Sequence, residues 1–465
     1  MDKQNRGPEN KMGVVPVPQL LISMAVPLML SMLVQACYNI VDSAYVSRFS
    51  GGTLSAQDAL TAVSAAFPVQ SVMIAVSIGT GVGMNAMLSR ALGAKHFDEA
   101  SKAANNGAFL AICSSLVFMA VGFFIARPFY YSMYPLSPAI VDSGTAYLTI
   151  VTTFSMGLFL QMTFERMMQG TGLTFQTMIT QMSGAVTNII LDPFFIFGIG
   201  PFPRMGVAGA AVATVIGQFV GAFLSIILNH RYNKEIHVSL REIFHPSLRV
   251  IRRIYYVGVP SMIMGSIGSI MYYGMNRILA GFDYAATAVF GVYFKLQSFF
   301  FMPVFGMNNA IVPIIAYNYG AQKRSRMLEC LKAGIVYALI IMGLGTLVFE
   351  TLPAFLLGLF NADETMLSIG VPALRIIGIH FPVAAVCIVL GSTFQSLGKA
   401  TYSAIVSIAR QLVVLLPAAF LLSRIGGLHA IWWAFPMAEI MSLMMTTFFI
   451  RRINRTVISQ VEDRV

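Results

Sequence analysis

Two carboxylates stand inside long apolar runs, and an ionised carboxylate in hydrocarbon costs at least about 2.5–3.5 kcal/mol. The first is Asp42, in Tyr38-Asn39-Ile40-Val41-Asp42. Tyr38 lies four residues before it, so the two share one helix face, and Asn39 lies three before it, within hydrogen-bonding range. The second is Asp192, in Asn188-Ile189-Ile190-Leu191-Asp192-Pro193. Asn188 shares its face by the same spacing. Pro193 has no N–H, so the Ile189 carbonyl loses its helical donor. A carbonyl, an amide oxygen and a carboxylate thus fall close together, a set of hard oxygens that suits Na⁺ or a shared proton. Thr214 ends the small-residue run Gly206-Val-Ala-Gly-Ala-Ala-Val-Ala-Thr214 and can add a hydroxyl to such a cluster. The competing reading makes each acid a helix end: Arg48 and Ser50-Gly51-Gly52 follow Asp42, and Pro193-Phe194-Phe195 follows Asp192.

The second half of the chain carries different chemistry: Lys295, His380, Arg410 and Glu439, with Leu416-Pro417-Ala418 and no acid where Asp192 has its counterpart. Lys295, Arg410 and Glu439 are expected to neutralise one another between helices, while His380 is either a packed polar group or a proton carrier. The four cysteines form no CxxC pair, so neither a disulfide framework nor a thiolate metal site is implied. No GxxxxGK[ST] phosphate loop, nucleophile elbow or dinucleotide fingerprint occurs, so no enzyme chemistry and no cofactor is expected. Energy for any work must come from an ion gradient or a partner chain. Thirty Met and thirty-five Phe mostly fill the bundle or face lipid. A minority lining a cavity would make an adaptable, π-rich surface for lipophilic cations.

The elements that must hold these residues are membrane helices. Of 465 residues, 57% are apolar and only 11% charged, with mean hydropathy +0.75. A soluble protein of this length needs far more charge to cover its surface, which excludes a cytosolic enzyme, a disordered chain and a nucleic-acid binder. The net charge of +11 sits in short clusters between apolar stretches, the pattern of a multi-spanning membrane protein rather than of a partner for nucleic acid. Twelve stretches long enough to cross as helices lie near 20–46, 60–89, 103–126, 139–163, 174–198, 206–229, 254–280, 285–316, 331–351, 367–391, 402–423 and 428–450. The absence of period-two alternation excludes a β-barrel. Lys and Arg divide 22 to 5 between the two sets of connections, with Arg166 counted in the basic set, so both termini are expected in the cytoplasm.

The polar segment 230–253 cuts the chain into a 1–19 N-terminal tail, an N-lobe at 20–229, a C-lobe at 254–450 and a 451–465 tail. The two lobes repeat landmarks: Val26-Pro27 with Val259-Pro260, Gly83-Met84-Asn85 with Gly306-Met307-Asn308, Gly93-Ala94 with Gly320-Ala321, and Gln169-x-x-Gly172 with Gln395-x-x-Gly398. The spacing stays within 223–233 residues, which marks a duplication. Six spans per half return the chain to its starting side, so the repeats are parallel, around a central cavity.

On Tyr38-Asn39-Ile-Val-Asp42, Gln169-Gly170, Asn188-Ile-Ile-Leu-Asp192-Pro193 and Gly206-Val-Ala-Gly-Ala-Ala-Val-Ala-Thr214, the chain resembles the multidrug and toxic compound extrusion (MATE) family over about 15–455, and in particular its MepA-like bacterial branch. The resemblance implies twelve helices in two six-helix repeats and export of cationic, lipophilic drugs or metabolites in exchange for Na⁺ or H⁺, from the bacterial inner membrane. It implies an ion site at Asp42, Asn188, Asp192 and Thr214, which could hold Na⁺, with Tyr38 beside it and Pro27 as a hinge in the first span. An acid that some branches carry in the seventh span is replaced here by Tyr272, Tyr273 and Asn276. The chain is expected to work as a monomer. The alternative is a flippase for a lipid-linked oligosaccharide, which calls for a cavity lined by Arg and Lys, whereas the in-span basic residues Lys295, Arg375 and Arg410 are few.

Overall fold

A chain in lipid must satisfy its backbone polar groups internally, and helix is the only regular structure of any length among the described residues. The computed structural model describes residues 10–46, 48, 55–360 and 362–463, and leaves the side chains of Asn39, Ile40, Ser43, Ala56, Gln57 and Tyr284 outside that set. The expected contact of Asn39 with Asp42, and the Ser50-Gly51-Gly52 turn, therefore lie outside the described residues.

The first span is Val17–Val46. The second and third are Asp58–Gly93 and Phe97–Met133. The fourth is a pair, Pro138–Thr153 and Met156–Gly170, bent by 43°. The fifth is Thr174–Phe197, the sixth Val207–Tyr232 and the seventh Leu248–Leu279. Tyr284–Gly320 and Arg324–Thr351 follow. The tenth is again a bent pair, Glu364–Gly378 and Phe381–Ser396, at 46°. Ala400–Ile425 and Gly427–Gln460 complete the set.

Nine of these are long and apolar enough to cross a membrane on their own, and the two bent pairs bring the number to eleven. The fifth is the twelfth crossing. Its 24 residues span about 36 Å, enough for the hydrocarbon, but it is too polar to pass on hydropathy. One of its faces is polar and buried. Thr174, Thr177, Thr180, Gly184, Asn188 and Asp192 recur at three- and four-residue spacing and are all buried. Among the described residues the fold is thus all-helical with twelve crossings, and the bends of the fourth and tenth spans fall at matching places in the two repeats.

By packing, the chain forms two units. One comprises Leu30–Leu92 and His96–Val259; the other comprises the chain up to Met29, Gly93–Lys95 and Pro260–Val465. The first and seventh spans are each divided between them, near the helix-interior prolines Pro27 and Pro260.

Within the first unit, the fifth and sixth spans approach closely because small residues meet. A Cβ on Gly217 would lie 2.7 Å from the Gly184 carbonyl oxygen, and one on Gly209 would collide with the Phe195 carbonyl. The fifth span ends at Gly198, whose left-handed φ of 72° lets Gly198 N and Ile199 N both return to the Phe194 carbonyl. The connecting segment is tied to this unit. Asn105 Oδ1 accepts from Ser239 N at 3.0 Å, its Nδ2 donates to the His237 carbonyl at 2.9 Å and to Glu242 at 2.7 Å, and Asn106 Oδ1 accepts from Ser247 N at 2.8 Å.

In the second unit the start of the chain is held in the same manner. Arg326 donates to the carbonyls of Val15 at 2.6 Å and Met12 at 3.1 Å, and Lys323 Nζ donates to that of Gly13 at 3.0 Å. Segments that read as polar tails and linkers are thus fixed by buried or half-buried amides and cations.

The glycine crossing gives a direct test. Gly217→Ala drives a methyl into backbone, and overpacking of that kind costs about 1–3 kcal/mol. Its thermal unfolding midpoint should fall by several degrees. Gly343→Ala, where a Cβ meets open space, should leave the midpoint unchanged or slightly raised. Equal midpoints for the two variants would show that the crossing is looser than described.

Candidate functional site

Three spans of the first unit place polar side chains around Asp192, which is fully buried. The first span brings Asp42 and Tyr38, one helical turn apart. The fifth brings Asn188 and Asp192, likewise one turn apart, and the sixth brings Thr214. The Asp42 carboxyl lies within hydrogen-bonding reach of the Asp192 carboxyl, and the Tyr38 hydroxyl within reach of Thr214. Asn188 bridges the rest. With its amide oxygen toward Thr214, it accepts from Thr214 N at 3.0 Å and Oγ1 at 3.2 Å, and its Nδ2 donates to Asp192 Oδ2 at 3.2 Å.

One oxygen of each acid is left over. Asp42 Oδ1 and Asp192 Oδ1 are both buried and have no hydrogen-bond partner among the described residues. An unmet buried acceptor costs about 1–3 kcal/mol, more when charged. Two carboxyls this close, in a low-dielectric bundle, coexist only with a proton shared between them or a cation bound by both. The surrounding donor set fits either: carboxylate, amide and hydroxyl oxygens, with no thiolate or imidazole among the residues named. No group of three or more His, Cys, Asp or Glu that could hold a metal occurs among the described residues.

The structure brings together Tyr38, Asp42, Asn188, Asp192 and Thr214. Pro27 is elsewhere on the first span, fifteen residues from Asp42, and belongs to the other unit. Two members of the cluster were missed by the sequence reading. Tyr147, buried on the fourth span, acts electrostatically on Asp42 and Tyr38, and Gln70 of the second span donates to its hydroxyl at 3.3 Å. A tyrosine in an apolar run carries no signal by itself, but Gln70, an amide inside a span, could have been read as one.

A second polar group of this unit was also hidden. Glu165 is buried on the fourth span and accepts from Gln161 at 2.9 Å, Thr180 at 2.9 Å and Gln181 at 2.8 Å. Arg166, expected in a loop, lies instead within the helix Met156–Gly170, buried, with Nη1 donating to Gln169 at 3.1 Å. The regular spacing of Gln161, Glu165 and Gln169 was the available clue. In the other unit Arg410 pairs with Glu439 at 3.2 Å. Lys295 is not part of that pair: its ammonium sits over the Phe360 ring, 5.9 Å from the centroid.

The pairing makes two opposite predictions. Asp42→Asn replaces a facing carboxyl with an amide that can donate to Asp192, so the unfolding midpoint should stay or rise. Asn188→Leu removes the bridge and strands Asp192 Oδ2 and Thr214, so it should cost about 1–3 kcal/mol and lower the midpoint by several degrees. A fall for Asp42→Asn as large as that for Asn188→Leu would contradict the contact between the acids.

Comparison with known proteins supplies the context. The MatE family pattern matches residues 27–194 and 260–421, one stretch in each repeat. Among characterised proteins, the "FAD transporter" of Shewanella oneidensis is 24% identical over 462 residues, covering 96% of this chain and 97% of its own. The "Multidrug export protein MepA" of Staphylococcus aureus is 24% identical over 91% of both chains. Among solved structures, the outward-facing conformation of a multidrug resistance MATE family transporter of the MOP superfamily superposes with a TM-score of 0.88 at 21% identity, over 97% of this chain and 100% of its own. A MOP superfamily transporter from Pyrococcus furiosus, described as having a binding pocket of reverse polarity, gives 0.84 at 22% identity over 98% and 100%. Twelve helical crossings in two repeats, with both repeats matched, identify the chain as a member of the MATE family of membrane transporters.

Proposed function

We propose that the protein is a secondary active exporter of lipophilic organic cations, exchanging them for Na⁺ or H⁺ by alternating access. The observation that carries this reading is the pair of facing acids with two buried, unmet carboxylate oxygens. Such a pair has three stable fillings: a proton, a small cation or the charge of a cationic drug. Ion and drug therefore exclude one another there. An ion entering from outside displaces the drug and favours its release, and it shifts the conformational equilibrium only by its differential affinity for the two states. The Asn188 amide can present either its nitrogen or its oxygen to Asp192, so it serves a proton or Na⁺ alike. Pro27 lacks the N–H that would bond the Ser23 carbonyl, so the first span can bend there as the acids fill. The reading places the protein in the bacterial inner membrane as a monomer with both termini cytoplasmic.

A second reading has its own support. The relative named for FAD transport matches nearly end to end, and it would make the cargo an anionic dinucleotide.

The test is efflux from proteoliposomes loaded with ethidium or with FAD, under a sodium gradient and a pH gradient imposed separately. Ethidium export driven by one gradient is expected. Asp42→Asn and Asp192→Asn, shown to be folded, should each reduce it to the rate of empty liposomes. Normal export by Asp192→Asn would remove the site from the mechanism. FAD export without ethidium export would favour the second reading. No flux of either under any gradient would contradict both and point to lipid-linked substrates.

A further inference from the structure

Glu165 is a buried acid that the export reading leaves unused. It lies on the fourth span, within Met156–Gly170, and is 1% exposed. Its carboxyl faces the fifth span, where it meets Thr180 Oγ1 at 2.9 Å and Gln181 Nε2 at 2.8 Å. Gln161 Nε2 reaches it at 2.9 Å from one turn earlier on its own helix. The sixth span makes room for that amide, because a Cβ on Gly221 would lie 2.5 Å from Gln161 Cδ. All of these residues belong to one packed unit. Thr180 stands twelve residues before Asp192 on the fifth helix, about 18 Å along its axis, so this group is separate from the acid pair.

The Thr180 hydroxyl decides the protonation state. Its Oγ1 lies 2.9 Å from Glu165 Oε1 and 2.8 Å from the Thr177 carbonyl. A carbonyl oxygen only accepts, and a hydroxyl has one proton to give. An ionised Glu165 also only accepts, so that one proton would face two acceptors, both at full hydrogen-bonding distance. A neutral Glu165 removes the conflict. Its own proton goes from Oε1 to Thr180 Oγ1, and the Thr180 proton goes on to the Thr177 carbonyl. Gln181 still donates to Oε2, and Gln161 to a lone pair of Oε1. Every contact is then used once.

The charges around the carboxyl agree with this. The hydrogen-bond partners found for it are two amides and a hydroxyl, all neutral. Arg166 is next in the chain, and consecutive helical side chains point about 100° apart. Its stem turns to the second span, where a Cβ on Gly81 would lie 2.7 Å from Arg166 Cγ, and its Nη1 donates to Gln169. Arg166 is within electrostatic reach of Glu165, and no other charged side chain acts on that carboxyl among the described residues. An ionised Glu165 would be buried with neutral contacts, and a buried charge so placed neutralises instead.

We propose that Glu165 is a second proton site of this unit, with the proton held on Oε1 in the run from Glu165 through Thr180 to the Thr177 carbonyl, across the fourth and fifth spans. Removing the proton sets one hydroxyl between two acceptors, so the contact of the two spans weakens as the acid ionises. The neutral acid contributes its bonds at low pH and loses them as pH rises through its titration. The site shares no residue with the acid pair, so it stands or falls independently of the export reading.

The experiment is infrared difference spectroscopy of the full-length protein in liposomes, titrated from about pH 5 to 10, a range that spans buried carboxyls. A carboxylic-acid carbonyl band should be present at the acid end and missing from Glu165→Gln. It should persist in Asp192→Asn and on addition of sodium at constant ionic strength. Thermal unfolding supplies a second readout. Gln reproduces the neutral acid, with an N–H toward Thr180 and an oxygen toward Gln181. Glu165→Gln should therefore match the unaltered protein at the acid end and unfold several degrees above it at the alkaline end. Should Glu165→Gln not fold, Thr180→Val, which removes the proton's acceptor, should shift the band. No acid band that either variant alters, or a Glu165→Gln midpoint several degrees low at the acid end, would overturn the site. A band that vanishes in Asp192→Asn would assign the proton to the acid pair instead, and one erased by sodium would make the site a metal site; either result overturns the proposal.

Discussion

Two carboxyl groups face each other in a medium that cannot solvate them, and much of the first unit is arranged around that fact. In water the Asp42–Asp192 pair would be unremarked; inside a helical bundle it must be matched by a proton, a cation or an opposite charge. No basic side chain is among the partners found for it. Its neighbours are an amide, hydroxyls and phenols, which steer and hold the acids without neutralising them. In the export reading proposed above, that missing positive charge is supplied by a proton, a cation or a drug. That separates it from the Arg410–Glu439 pair, where the protein supplies its own counter-charge.

The packing follows from this demand. To bring Asn188 and Asp192 against Thr214, the fifth and sixth helices must nearly touch, and only glycine allows it at Gly184 and Gly217. To keep the polar stripe of the fifth helix away from lipid, that stripe must face inward along its whole length, from Thr174 to Asp192. A helix carrying this many polar groups is stable across a membrane only when its neighbours cover it. The buried network of Glu165 with Gln161, Thr180 and Gln181 covers part of the fifth helix from the side of the fourth span. The polar groups of this crossing are therefore structural and chemical at once.

Much of this was legible in the sequence because acids, amides and helix-breaking prolines are rare in apolar runs, so each stands out and its spacing states which face it occupies. Tyr38 with Asp42, and Asn188 with Asp192, were readable as one-turn pairs, and the Gly-Ala run before Thr214 as a close helix crossing. The duplication was readable from landmarks at near-constant spacing, although the bends at Phe154 and His380 were not, since neither carries a distinctive residue pattern in both halves. Tyr147 was invisible for a simple reason: its role depends on which helix lies opposite, and apolar runs do not record their neighbours. Arg166 misled because charge near the end of an apolar stretch usually means water, whereas here the helix continues past it to Gly170 and buries it. Polarity alone likewise does not reveal that Asn105 and Asn106 bind backbone of the connecting segment, or that Arg326 binds backbone of the N-terminal one.

The most direct measurement is equilibrium binding of a fluorescent organic cation such as ethidium to the purified protein, with pH and sodium varied in turn. If the acid pair takes drug or ion but not both, one of the two ions should weaken binding by about tenfold or more, a coupling of roughly 1.4 kcal/mol. That dependence should vanish in Asp192→Asn. Binding that is indifferent to both ions in the unaltered protein, or equally ion-dependent in Asp192→Asn, would contradict the exchange at this pair.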